Sequence, residues 1–237
     1  MITSLRSRFG RLSNADVAVL LIELAILLGA CGFVAVAVGV KTGVTRNIDD
    51  TLLRAPRDAE DLSRTRGPAW LEEVARDLTA IGGIAALSLV TAAVSGYLLI
   101  SRKYGALAFL LSATLGGLVL SAVLKERFER PRPEVVPHKS MVMTSSFPSG
   151  HSLNSAVVYL TLGSLLAGLS HQRQLKVYFF SVALLLTFLV GVSRVYMGVH
   201  YPTDVMAGWC AGLAWALSCG LIARRLRRRG LVERVDQ

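Results

Sequence analysis

The chain has 237 residues, 53% of them hydrophobic, and the apolar residues are gathered into long runs. That blocking excludes a soluble globular domain and points to membrane spans. A net charge of +10 does not read as nucleic-acid binding. The basic residues sit at segment ends and in loops, where anionic headgroups and a phosphate substrate account for them.

Residues 1–15 carry Arg6, Arg8 and Arg11 and no acid. An apolar run from Val17 to Val40 follows, too long for the core of a cleaved signal peptide and long enough to span. Glu23 lies inside it, either as a bundle-facing hydrogen-bonding group or as a functional acid. Residues 41–77 form a polar connector. Ile48, Leu52 and Leu53, then Trp70, Leu71 and Val74, recur at helical spacing and predict one or two short amphipathic helices at the membrane surface, parted at Gly67-Pro68. Five further spans are predicted at about 78–100, 104–124, 152–169, 177–192 and 203–223. The fold class is thus an all-α integral membrane bundle of six transmembrane helices, one domain over residues 1–237, with interfacial helices in the first outer connector.

The links Ser101–Lys103 and Ser170–Lys176 allow only tight antiparallel turns. Gly82, Gly83, Gly116, Gly117, Gly208 and Gly212 read as points of close helix approach. Cys31, Cys210 and Cys219 fall inside apolar runs, an odd number with no metal spacing, and read as buried small hydrophobes.

Six spans put both termini on one side. The basic residues there (the N-terminus, Arg102-Lys103, Arg173 with Lys176, and RRLRRR at 224–229) crowd short segments that are almost free of acids. This side is predicted to be cytoplasmic. The connector 41–77 and two polar patches then share the outer side.

The first patch runs from Lys125 to His151. Lys125 supplies a mobile point charge and Arg132 a planar fork of donors, in a loop stiffened by Pro131 and Pro133. Basic residues beside a span also snorkel to headgroups for no other reason. Ser149, Gly150 and His151 stand at the start of an apolar helix. There Ser149 can cap or donate, Gly150 lets a ligand approach the N-terminal N–H groups, and His151 can exchange a proton near neutrality. The second patch runs from Ser193 to Asp204. His200 and Asp204, four apart with Pro202 between them, can set a carboxylate against one imidazole nitrogen and leave the other free as a nucleophile. Arg194 adds a cation.

These residues resemble the three motifs of the type 2 phosphatidic acid phosphatase (lipid phosphate phosphatase) superfamily. Lys-x6-Arg-Pro stands as Lys125…Arg132-Pro133, Pro-Ser-Gly-His as Pro148 to His151, and Ser-Arg-x5-His-x3-Asp as Ser193-Arg194…His200…Asp204. The resemblance covers the chain from about the third span onward. It implies in-line attack on phosphorus by His200, giving a phosphohistidine, with Asp204 holding the imidazole. It further implies that His151 protonates the leaving oxygen and then activates water, while Lys125, Arg132, Ser149, Gly150 and Arg194 hold the phosphate oxygens. No metal or other cofactor is expected, since Asp204 is the only acid in the motifs. The expected partners are the bilayer and a lipid phosphate or diphosphate.

Among substrates, an outward-facing site favours undecaprenyl diphosphate over phosphatidylglycerophosphate, phosphatidic acid or lipid A. Phosphotransfer to a second lipid, a vanadate-dependent haloperoxidase and a non-enzymatic membrane scaffold or transporter are the competing classes.

Overall fold

The computed structural model describes residues 13–134, 136–137 and 144–229. Arg6, Arg8 and Arg11 and the end of the chain lie outside the described residues. The rest forms helices α1 (Asn14–Thr42), α2 (Arg46–Arg54), α3 (Ala69–Ile81), α4 (Ile84–Ile100), α5 (Tyr104–Phe128), α6 (Gly150–Leu169), α7 (Arg173–Tyr196) and α8 (Pro202–Arg228). Five of these (α1, α5, α6, α7 and α8) are long and apolar enough to cross a membrane, and α3 with α4, bent at the break between them, is long and apolar enough only when the two are taken together, which makes five to six candidate spans. The protein is an all-α membrane bundle, as the sequence predicts.

Local signals place the helix starts. Ser13 and Asp16 form a reciprocal capping box at α1, the Ser149 side chain caps α6, and Pro202 stands in the first turn of α8. Gly43, at φ 79°, ends α1. The connector helices α2 and α3 appear where the apolar spacing predicts them. They are separated at Gly67 (φ 113°) and Pro68. Ile48, Leu52, Trp70 and Val74 remain exposed, whereas Leu53 is buried.

Three predicted boundaries need correction. The span 78–100 is not one helix: α3 stops at Ile81 and α4 starts at Ile84, bent by 47°. Hydropathy registers the composition of this stretch but not the break at Gly82-Gly83. A Cβ on Gly82 would stand inside the Val190 side chain of α7, so the chain can pass only as glycine there. At the second boundary, α7 continues four residues past Val192, through Ser193 and Arg194 to Tyr196. Arg194 therefore projects from a helix and not from a loop. The third change is at α5, which runs on past Leu124 to Phe128 and takes Lys125 into its last turn.

The helix α6 is the centre of the bundle: 67% of its apolar window is buried, against 6% for α1. Lipid tails are as apolar as leucine, so close backbone approach and interhelical hydrogen bonds hold such a bundle together. A Cβ on Gly208 would lie 2.7 Å from the Ser149 carbonyl oxygen, and one on Gly212 would lie 2.6 Å from that of Leu153. These two glycines set α8 against α6. The Trp215 indole donates to the Ala113 carbonyl at 2.9 Å, the Trp209 indole to that of Thr187 at 3.1 Å, and the Tyr159 hydroxyl to that of Ile81 at 2.8 Å. Each such bond contributes on the order of 0.6–2 kcal/mol.

Glu23 takes its place as half of an ion pair, accepting from Arg225 at 2.6 Å and tying α1 to α8. The cysteines are free thiols, but Cys31 is exposed and the other two are half-buried. They face lipid or helix seams more than a core, because the outer faces of spans are themselves apolar.

Candidate active site

Both polar patches end in one cavity of about 540 Å³. Its lining includes Lys125, Arg132, Gly150, His151, Arg194 and His200, and among the described residues no carboxylate. It shares Ile84, Leu118 and Asn154 with a second, largely apolar cleft of about 280 Å³ between α4, α5 and α6.

Each cation in the wall is steadied by neutral groups. Lys125 Nζ donates to the Ser145 carbonyl at 2.7 Å, and the Ser145 hydroxyl donates back to the Lys125 carbonyl at 3.0 Å. Arg132 donates through Nε to the Thr144 carbonyl and through Nη1 to the Val199 carbonyl, both at 2.7 Å. Arg194 is buried; its Nη1 donates to Thr79 Oγ1 on α3 at 3.0 Å, and its Nε has no partner. Carbonyls and hydroxyls orient these groups without neutralising them, so the cavity keeps its positive charge for an anion. Burial holds the Arg132 guanidinium below its ordinary pKa, with Asp204 partly offsetting the effect.

His200 is buried, just after Gly198, whose φ of 73° turns the chain inward. A side chain at 198 would meet Val136 and the Arg57 guanidinium. Arg132 Nη1 lies 3.2 Å from His200 Nε2. A guanidinium has only donors, so Nε2 must present its lone pair, which places the ring proton on Nδ1. Nδ1 faces Asp204 Oδ2 at 3.5 Å, long for a bond, as catalytic contacts in unliganded enzymes often are. Burial, together with Arg194 and Arg132, outweighs the Asp204 carboxylate and holds the His200 pKa down to about 4. The imidazole is thus neutral at pH 7, with its unprotonated Nε2 beside Arg132 in the cavity wall.

His151 and Gly150 open α6 on the opposite wall, where first-turn N–H groups lack intrahelical acceptors. A Cβ on Gly83 would lie 3.9 Å from His151 Nε2, so the α3–α4 break borders this histidine. A side chain at 150 would come within 3.2 Å of Lys125 Cε. Ser149 takes the capping role its position allows. It is fully buried, its Oγ accepts from the Ser152 hydroxyl at 3.0 Å, and it does not line the cavity. Ser149 Oγ only accepts within the cap and keeps its own hydrogen to donate. Its backbone N–H donates to the Asp204 carbonyl at 2.9 Å, which joins the two motifs.

Several functional neighbours escape the motif reading. Asp204 is enclosed by the Ser146 hydroxyl, the Tyr201 N–H at 2.9 Å and Arg130 Nη1 at 2.6 Å, all donating to its carboxylate. Arg130 in turn donates to Asp49 at 2.8 Å and lies 4.1 Å over the Tyr201 ring. Burial works against the Arg130 charge, but Asp204 and Asp49 raise its pKa overall. Arg130 sits in the same Arg-Pro-Arg-Pro run as Arg132, so the sequence offered a signal for it. Asp49 lies in a connector with no motif.

The PAP2 superfamily pattern matches residues 105–228, from α5 to α8. The chain is 34% identical over 186 residues to phosphatidylglycerophosphatase B of Bacillus subtilis (strain 168), covering 76% of this chain and 86% of that one. The chain belongs to the PAP2 superfamily. A crystal structure titled the first transmembrane PAP2 type phosphatidylglycerolphosphate phosphatase from Bacillus subtilis superposes with a TM-score of 0.75 at 29% identity. That match covers 86% of this chain and 98% of the other. An undecaprenyl-diphosphatase of Sulfolobus acidocaldarius is 31% identical over 94 residues, 39% of this chain and 38% of its own. This PAP2 protein is a multi-pass membrane hydrolase, a lipid phosphatase.

Proposed function

We propose that the protein hydrolyses a lipid phosphomonoester of the phosphatidylglycerophosphate type through a phosphohistidine on His200. The observation that carries this reading is the cavity itself: three cations and two histidines converge on a space that continues into an apolar cleft. A phosphate fits the first part and an acyl chain the second.

The His200 Nε2 lone pair attacks phosphorus, forming the N–P bond as the P–O bond to the lipid breaks. The leaving oxygen takes a proton from His151. The negative charge of the incoming phosphate offsets the surrounding cations and lets His151 carry that proton. His151, now neutral, removes a proton from water. The resulting hydroxide attacks phosphorus, the N–P bond breaks, and Nε2 regains its lone pair as inorganic phosphate leaves. Lys125, Arg132, Arg194 and the Gly150 N–H hold the equatorial oxygens throughout. No step calls for a metal.

Similarity favours phosphatidylglycerophosphate, because the relative bearing that name covers most of the chain. The outward-facing site expected from the sequence favours undecaprenyl diphosphate, and the relative with that activity matches a shorter stretch. Phosphate release by the purified protein from phosphatidylglycerophosphate, undecaprenyl diphosphate, phosphatidic acid and lipid A ranks the four directly. The first should be turned over fastest, and preference for the diphosphate would reverse the order. Activity should survive chelation by EDTA. With cytoplasmic termini, a cysteine introduced into the 41–77 connector should be labelled from the outer face of intact cells.

A further inference from the structure

The connector between α1 and α3 carries one buried acid. Asp49, in α2, is fully buried. It accepts from Arg130 Nη2 at 2.8 Å, from the Thr203 N–H at 3.0 Å and from the Thr203 hydroxyl at 2.7 Å. Arg130 spans the gap to Asp204: its Nη1 donates to Oδ1 at 2.6 Å and to the Thr203 hydroxyl at 2.9 Å. We infer that Asp49 and Arg130 are positioning residues for the His200 nucleophile, acting through Asp204. This rests on the reading of His200 as the nucleophile. It gives α2 a task within the catalytic apparatus that its sequence does not announce.

The argument is one of charge as well as geometry. Asp204 alone would be fully matched by Arg130, leaving a neutral pair behind the imidazole. Asp49 returns one negative charge, so the carboxylate–guanidinium–carboxylate chain is net −1. That residual charge favours the cationic imidazole formed when Nε2 bonds to phosphorus. The other charged or titratable groups facing His200 are Arg132 from the loop after α5, Arg194 from α7, and Lys125 and His151 across the cavity. All of these lie on the substrate side. The chain through Arg130 is the anionic counterweight behind them.

Three variants of the full-length protein in detergent test the inference. Asp49→Asn keeps the shape and removes the charge. It should lower kcat about 10–100-fold, by analogy with the loss of an outer hydrogen-bond partner of a metal-ligating histidine, with KM changed less than about threefold. The acid limb of kcat/KM should move to lower pH. Arg130→Leu leaves two uncompensated carboxylates and should move that limb to higher pH. Asp49→Glu should recover much of the lost turnover. If these variants do not fold, Thr203→Val, which removes only the hydroxyl shared by Arg130 and Asp49, should lower kcat by about 3–10-fold in the same sense.

Nitrogen NMR of labelled histidine provides a readout that needs no turnover. His200 in the wild type should carry its proton on Nδ1 and titrate at lower pH in Asp49→Asn. A folded Asp49→Asn protein with unchanged kcat, pH profile and His200 titration would overturn the inference. So would a loss confined to melting temperature. If the wild type releases phosphate from no lipid while the NMR shifts appear, the catalytic reading fails and the positioning stands.

Discussion

Arg130 and Arg132 are two residues apart, Arg132 beside His200 Nε2 and Arg130 on the Asp204 carboxylate, yet their surroundings have opposite character. Arg132, like Lys125 and Arg194, is held by carbonyls and hydroxyls, which fix its direction and leave its charge uncompensated. Arg130 is closed between two carboxylates. The partner chosen by a buried cation therefore separates a cation kept for substrate from one kept for structure. Neutral oxygens hold a charge ready for use, whereas carboxylates consume it.

The largest effect that sharpens this contrast is at the nucleophile. His200→Ala should abolish phosphate release, by at least about 10⁴-fold, as removal of a covalent nucleophile does elsewhere. Samples quenched in alkaline detergent, where an N–P bond survives, should contain histidine-linked phosphate in the wild type and none in the variant. Arg194→Gln should reduce kcat/KM by about 10²–10³-fold, the usual cost of losing one preorganised donor to a developing oxyanion.

Competition by inorganic phosphate distinguishes the two neighbouring arginines. Arg132→Gln should weaken product inhibition about tenfold, one contact's worth of affinity, and Arg130→Gln should leave it nearly unchanged. Equal weakening in both would erase the distinction between them.

The pH profile follows from the burial of His200. Its lone pair is lost on protonation, so activity falls as pH drops through its pKa. With that value held near 4, the acid limb of kcat/KM attributable to His200 should lie well below the ordinary 6.5 or so. A limb at 6.5 or above would mean that the cations do not press on this ring.

The smallest effect is at the far end of the bundle. Glu23→Gln breaks the pair with Arg225, in which both side chains are partly exposed. It should cost less than about 1 kcal/mol, visible as a slight fall in melting temperature with kcat unaltered.

Much of this was readable from the chain because three physical signals are local. Apolar run length gives spans, proline and glycine give breaks, and the three motifs list most of the polar groups that line the cavity. What escaped was non-local. The break at Gly82-Gly83 depends on where Val190 of α7 sits, which no window of hydropathy contains. The burial of Asp49 arises only once α2 is packed against the start of α8. The ion pairs of Arg130 are equally non-local, because its two carboxylate partners lie 74 and 81 positions away.

The cleft that joins the catalytic cavity has a kinetic consequence. Its rim residues Ile84 and Leu115 are exposed on the apolar exterior of the bundle, so the route proposed for lipid to reach His200 runs sideways, along a surface. The effective substrate concentration is then a mole fraction in two dimensions, and diluting vesicles without changing their composition should leave turnover almost constant. The fission products part into different phases, phosphate to water and the dephosphorylated lipid to the bilayer. Back-reaction from bulk solution thus requires two phases to meet again at one histidine.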